Sequence, residues 1–231
     1  MKTILLMTTA AVAIVGAAQA EVSLVKGTVS VDVSLIENYS DLTIIDSNAD
    51  AAFSIGTYGF QFGGGNLTFS DGSESESLGY SNAHVYYQAA NGNKYGVYSS
   101  AMSAFDEYGV EGMFNIGPVD VEAYAGYMDF DGDSLGHAGL EAFFEVSEGI
   151  EVSAGYETIF ETDSGGDSFD SYSVGASYDI PNTNLTATAS YESFDSGSEA
   201  MYGIGLEWSF GPNQDERLFG SRELPFVGGD I

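Results

Sequence analysis

The stretch Tyr202-Gly203-Ile204-Gly205-Leu206-Glu207-Trp208-Ser209-Phe210 constrains the fold more than any other. Every second residue, Tyr202, Ile204, Leu206, Trp208 and Phe210, is large and apolar or aromatic. The residues between them, Gly203, Gly205, Glu207 and Ser209, are small or polar. Successive side chains of a strand leave on opposite faces, so this segment has one greasy face and one wet face. Two aromatics close the greasy face. Such a strand suits lipid on one side and water on the other. If lipid faces one side, most of the chain should be built the same way.

It is. Val25, Val29, Val31, Val33 and Leu35 share one parity and Lys26, Thr28, Ser30, Asp32 and Ser34 the other, which predicts a first strand over residues 22–36. Val119, Val121, Ala123, Ala125 and Tyr127 alternate with Asp120, Glu122, Tyr124 and Gly126. Ala138, Leu140, Ala142, Phe144 and Val146 alternate with Gly139, Glu141, Phe143 and Glu145. The same period runs through residues 80–102, 108–116, 150–157, 172–180 and 185–191. Residues 37–78 are weakly patterned. Glu37–Asp50 reads as a polar connection, Ala51–Phe62 as a strand with mixed faces, and Gly63-Gly64-Gly65-Asn66 as a tight turn.

This predicts an all-β fold, a transmembrane antiparallel up-and-down barrel of about twelve strands, with ten to fourteen as the range. An even count returns the C-terminus to the side where the chain began. The links alternate in character. One set is very short: Asn91-Gly92-Asn93, Gly117-Pro118, Glu148-Gly149 and Pro181-Asn182-Thr183. The other is mostly longer and acidic: Asp71–Ser77, Asp129–Ser134, Glu161–Asp167 and Asp195–Ser198. Short periplasmic turns and longer outer loops produce that asymmetry. A soluble sandwich would also alternate, but with shorter strands, less regular links and no aromatic girdles at the strand ends.

Residues 1–20 stand apart from the fold. Lys2 precedes an uncharged apolar run from Ile4 to Gly16, and Ala18-Gln19-Ala20 forms a small-residue cleavage site. The run is too short to cross a bilayer as a helix. The domain reading is therefore 1–20 signal peptide, 21–210 barrel and 211–231 C-terminal periplasmic tail. That tail holds both arginines of the chain, Arg217 and Arg222. A second arrangement for it is an inward-tucked segment pairing those arginines with carboxylates. The chain has no Cys, which removes disulfides and thiolate metal sites. It has 5 Lys and Arg against 35 Asp and Glu, which excludes the basic footprint that nucleic-acid binding needs. Disorder, the other outcome of high acidity, conflicts with 44% hydrophobic and 13% aromatic residues in periodic order.

The signal Met1-Lys2-Thr3-Ile4-Leu5-Leu6, the opening Ala20-Glu21-Val22-Ser23-Leu24, the repeats Tyr124-Ala125-Gly126-Tyr127 and Ala154-Gly155-Tyr156, and the aromatic final strand resemble Gram-negative porins of alphaproteobacteria. The resemblance covers the mature chain as a style of strand rather than as a motif. The chain is short for a trimeric general porin, and Phe210 is followed by 211–231 where such barrels end on the aromatic. The resemblance implies an outer-membrane location after export through a cleaved signal peptide. It implies outer-membrane lipid, lipopolysaccharide and the barrel-assembly machinery as partners, with a homotrimer as the candidate assembly. Tyr202, Ile204, Leu206, Trp208 and Phe210 then act as the insertion signal.

In this register Asp32, Glu111, Asp120, Glu122, Glu141, Glu145, Glu151, Glu157, Glu192 and Glu207 point inward, with Lys26 as the main inward base. A lumen lined by carboxylates concentrates cations and repels anions. The expected function is a passive channel for small hydrophilic solutes that prefers small cations or neutral molecules. The alternative is a non-conducting structural, adhesin or receptor barrel, since side chains can fill a small barrel. No cofactor is expected. A hydrolase is the remote alternative: Gly132-Asp133-Ser134-Leu135-Gly136 reads as G-x-S-x-G with His137 adjacent. That chemistry needs a strand-to-helix elbow, and no helical pattern follows. Asp129-Phe130-Asp131-Gly132-Asp133 resembles a Ca²⁺ loop, but the sixth and twelfth positions are Ser134 and Leu140 instead of Gly and Glu.

Overall fold

A computed structural model describes residues 21–37, 42–102, 105–130, 133–162, 168–194 and 200–221. Twelve strands follow in chain order: β1 (Ser23–Ile36), β2 (Thr43–Ile55), β3 (Tyr58–Ser70), β4 (Ser75–Gln88), β5 (Lys94–Met102), β6 (Phe105–Ile116), β7 (Val119–Phe130), β8 (Asp133–Ser147), β9 (Ile150–Glu161), β10 (Ser168–Asp179), β11 (Leu185–Phe194) and β12 (Ala200–Phe210). Each pairs antiparallel with its sequence neighbours, and β12 pairs with β1 from Gly27↔Phe210 to Ile36↔Met201, closing the barrel. Closure satisfies every strand edge, which an open sheet in lipid cannot do.

The outer face is greasy. Val29, Val31 and Leu35 of β1 and Tyr202, Ile204, Leu206 and Trp208 of β12 are exposed on alternate positions. Aromatics meet across strands near the short turns, where Tyr58, Tyr87 and Tyr95 sit in register on β3, β4 and β5. Toward the other rim Tyr156 faces Tyr172 and Tyr191 faces Tyr202. These belts match the girdles of a membrane barrel. The buried set mixes aromatic and aliphatic side chains with many polar and charged ones, Gln61, Asn82, His84, Lys94, Glu107, Glu111, Glu122 and His137 among them. The charged and amide side chains that are buried thus lie on the inner face, opposite the apolar outer face.

The expectations for residues 37–78 need correction, and the single strand Ala51–Phe62 is split between the ends of β2 and β3. Thr43–Asp50 belongs to β2 rather than to a connection. Gly63-Gly64-Gly65-Asn66 is no turn; it lies inside β3, paired with Ser47–Asp50 and with Gly79–Asn82, and the hairpin turns at Gly56-Thr57 instead. The glycines answer a packing need. A Cβ on Gly63 would stand 1.9 Å from Asp50 Oδ1, and one on Gly65 2.5 Å from the Ser47 carbonyl and 2.6 Å from the Tyr80 hydroxyl. Inward Asp50 and Tyr80 lean over bare backbone there. The strands β4, β7 and β8 also extend into segments read as acidic loops. There both faces carry Ser, Glu and Asp, so alternation fades while pairing continues.

Candidate functional site: the lumen and its C-terminal segment

The ten acids of the wet face occupy strand positions opposite to the exposed apolar set. Asp32, Glu145, Glu151 and Glu207 line an open cavity of about 1110 Å³ inside the barrel. Thr28, Ser30, Ser153, Thr188 and Ser190 share that wall. Asp32 accepts from Thr188 Oγ1 at 3.2 Å and from Ser30 Oγ at 3.3 Å. Glu207 stands 3.8 Å from Lys26 Nζ. Glu145 faces Glu151 across β8 and β9. Glu111 and Glu122 are buried instead of lining the open space. Glu157 binds His137, Asp120 faces Asn115 and Phe143, Glu141 faces Glu122 and Gly155, and Glu192 faces Ser173 and Met201.

Strand assignment hid further acids from the sequence. Asp46 and Asp50 lie on β2. Asp46 accepts the Tyr80 hydroxyl at 2.9 Å and Asn48 Nδ2 at 2.8 Å, and Asp50 accepts Gln61 Nε2 at 3.1 Å. Glu107 of β6 was absent from the expected set, although its parity with Glu111 could have placed it. It is buried and lies 2.9 Å from His137 Nδ1, with the Tyr98 hydroxyl donating to it. His137 Nε2 lies 2.6 Å from Glu157 and 3.2 Å from the Tyr124 hydroxyl. Both ring nitrogens face carboxylates, a pattern that is satisfied when each carries a hydrogen. A second histidine, His84, places Nδ1 at 2.9 and 3.0 Å from the two Glu111 oxygens.

The lumen is therefore uneven. Across β4 to β8 it is packed by His84, His137, Tyr86, Tyr98, Tyr124 and Met113, and toward the loop rim by Phe105, Met128 and Ile159. Against β9 to β12, β1 and β2 the wall is Ser, Thr, Gly and acid, and there the cavity lies. Turn residues Glu148, Gly149 and Pro181–Asn184 line it as well, so it opens at the short-turn rim.

Residues 211–221 run inside the barrel with Arg217 against a carboxylate, the inward-tucked arrangement of the two expected; 222–231 lie outside the described residues. Gly211 turns the strand inward at φ +110, where a side chain would be strained, and its Cβ would meet the Val25 carbonyl at 3.0 Å. Asn213 N–H donates to that carbonyl at 3.0 Å. Lys94 Nζ then binds Glu216 at 2.9 Å and donates to the Arg217 carbonyl at 2.7 Å. Arg217 pairs with Glu151 and stacks 3.6 Å over the Phe143 ring, which gives an aromatic on the wet face its partner. Phe219 lies flat on His84, with centroids 5.7 Å apart and 5° between planes, and edges onto Tyr86. Gly220 N–H donates to Glu122 at 3.1 Å, and Asn82 Nδ2 to Ser221 Oγ at 3.2 Å. The sequence signal for this was the pair of arginines in an almost base-free chain.

The hydrolase constellation does not form. Leu135 packs into the interior cluster of Phe105, Met128 and Ile159 and His137 is buried on the same face, so Ser134 leaves the opposite face of β8. Gly132 and Asp131 lie outside the described residues. Among the described residues no three His, Cys, Asp or Glu side chains gather to hold a metal ion.

No protein-family model and no curated protein matches the chain. Solved structures do. The NanC porin superposes with a TM-score of 0.60 at 10% identity, over 78% of this chain and 98% of that one. The KdgM porin gives 0.53 at 10% identity, over 79% and 99%. The KdgM porin in complex with disordered oligogalacturonate gives 0.52 at 11% identity, over 79% and 99%. The chain is similar to these proteins in fold: a closed, antiparallel, twelve-strand barrel of the porin type.

Proposed function

We propose that this protein is an outer-membrane channel for passive diffusion of small hydrophilic solutes, preferring cations. One observation carries the reading: an open, water-accessible cavity of about 1110 Å³ inside an apolar-faced barrel, lined by Asp32, Asp50, Glu145, Glu151, Asp179 and Glu207 against Lys26 and Arg217. Clustered carboxylates in a confined aqueous path raise cation concentration and exclude anions. The shared fold with porins supports a location in the outer membrane of a Gram-negative cell. Residues 1–20 would serve as the export signal, and lipopolysaccharide and the assembly machinery would be the partners at the greasy face. The tie to alphaproteobacterial porins rests on the signal and strand vocabulary, and no enzymatic role is part of the reading.

The test is single-channel recording of the mature protein in planar bilayers across a KCl gradient. A reversal potential near the K⁺ equilibrium value is expected, and it should shift toward zero when Asp32 and Glu207 are changed to Asn and Gln. An anion-preferring potential sinks the cation preference. The second reading, a non-conducting barrel, is favoured by the packed β4–β8 side. Absence of unitary current from the barrel in both full-length and tail-less form would establish it.

A further inference from the structure

β3 and β9 are six places apart in a ring of twelve strands, so they stand on opposite sides of the barrel. Phe219 is held on β3 by Gln61 Nε2, which donates to its carbonyl at 2.8 Å, and by Gln61 Oε1, which accepts its N–H at 3.0 Å. Arg217, two residues earlier, is held on β9 by Glu151. The segment therefore crosses the pore from wall to wall. Lys94 on β5 fixes its middle, and Val25 on β1 fixes its entry. The holding residues are deeply buried: Gln61 is 1% exposed, Lys94 4% and Phe219 3%. Gln214–Ser221 form one side of the open cavity, with the strand wall as the other.

We propose that Asn213–Ser221 is a transverse bar that narrows the pore, and that Arg217, carried on this bar, is a specificity-determining residue. The proposal rests on the channel reading above. The bar fills the middle of the lumen and leaves solutes the passage along β9 to β12, β1 and β2. Among the described residues, Arg217 is one of two basic side chains lining that passage, the other being Lys26. Its charge opposes the acids, so it moderates a cation preference that the acidic wall alone would make stronger.

The mature chain is compared with a form ending at Gly211, both refolded in detergent and recorded in planar bilayers. The shortened form is expected to conduct about twofold or more above the full chain, because pore conductance grows with open cross-section. Equal conductance overturns the bar while leaving the channel standing. A silent full chain with a conducting short form supports the bar as a complete plug. Silence from both overturns the channel reading and the bar with it. If the short form fails to assemble, Phe219→Ser keeps the chain length and removes the anchoring ring; an unchanged conductance then overturns the proposal. Arg217→Gln is expected to raise the K⁺ over Cl⁻ permeability ratio about twofold or more, with Arg217→Lys near wild type. An unchanged ratio in Arg217→Gln removes its role in specificity. Placement has a readout independent of current. Trypsin acting on the native barrel should leave the Arg217–Leu218 bond intact and cut it after unfolding. Rapid cleavage in the native state overturns the bar.

Discussion

Gln61 and Phe219, 158 residues apart, are joined by both ends of one side-chain amide: Nε2 donates to the Phe219 carbonyl and Oε1 accepts the Phe219 N–H. The amide completes for the tail what a neighbouring strand would supply, two paired backbone groups in a buried setting. A buried N–H or carbonyl left without a partner costs about 1–3 kcal/mol. Gln61→Leu keeps the volume and removes both partners. The docked state of the tail should weaken by that order, seen as faster hydrogen exchange at the Phe219 and Gly220 amides with the barrel amides unchanged.

Glu107 is shared by His137 and Tyr98 in the packed half of the lumen. Leaving a buried hydrogen-bonding group without its partner costs about 1–3 kcal/mol. Glu107→Ala should lower the urea midpoint of barrel unfolding markedly. Glu145→Ala, on the open side, should leave it close to the wild-type value.

Gly65 on β3 and Gly79 on β4 sit in neighbourhoods of different tightness. A Cβ at Gly65 meets the Ser47 carbonyl and the Tyr80 ring, whereas one at Gly79 finds only the Gly65 carbonyl at 4.0 Å. Gly65→Val should cost about 1–3 kcal/mol through overpacking. Gly79→Ala should change stability by no more than about 0.5 kcal/mol. Heat-modifiable gel mobility together with urea unfolding separates the two.

The β1–β12 ladder ends at Gly27↔Phe210 and uses no residue of the tail. The Phe210 ring covers Gly27, 2.2 Å from where a Cβ would be, and lies 5.2 Å from the Trp208 ring. Deleting residues 211–231 should leave barrel assembly intact, while Gly27→Leu should displace Phe210 and reduce the folded yield. Failure of the truncated chain to assemble would mean that Phe210 is not the insertion signal.

Outside the membrane strands, Asp71 accepts the Glu74 N–H at 2.8 Å and the Ser73 N–H and hydroxyl at 2.9 Å. The Glu74 amide first, then the Ser73 groups, hold its carboxyl below the ordinary 3.8. A depressed folded value means that the turn is supported above the unfolded value and loses that support as pH falls through the folded one. An NMR titration should give an Asp71 midpoint below 3.8; a midpoint at or above it would mean that these bonds do not form.

Much of this architecture is written locally. Alternation at period two in Tyr202–Phe210 and its counterparts follows from an apolar outer face and a polar inner one. A few turn residues between such runs, as at Gly117-Pro118 and Glu148-Gly149, suffice to make neighbours antiparallel. Strand number and barrel class follow from those local terms. Where the wet face carries glycines under an overhanging Tyr80 or Asp50, the local pattern misleads, because the reason for Gly63 and Gly65 sits on a neighbouring strand. The acids read as an inward row were legible by parity. Which of them line open space and which are consumed by His84, His137 or the tail was not. Those roles depend on contacts such as Glu151 with Arg217, 66 residues apart, and Gly220 with Glu122, 98 apart. Such contacts form only once the barrel has closed, and no periodicity in the chain encodes them. The strands belong to the sequence; the filled and open halves of the lumen belong to the closed ring.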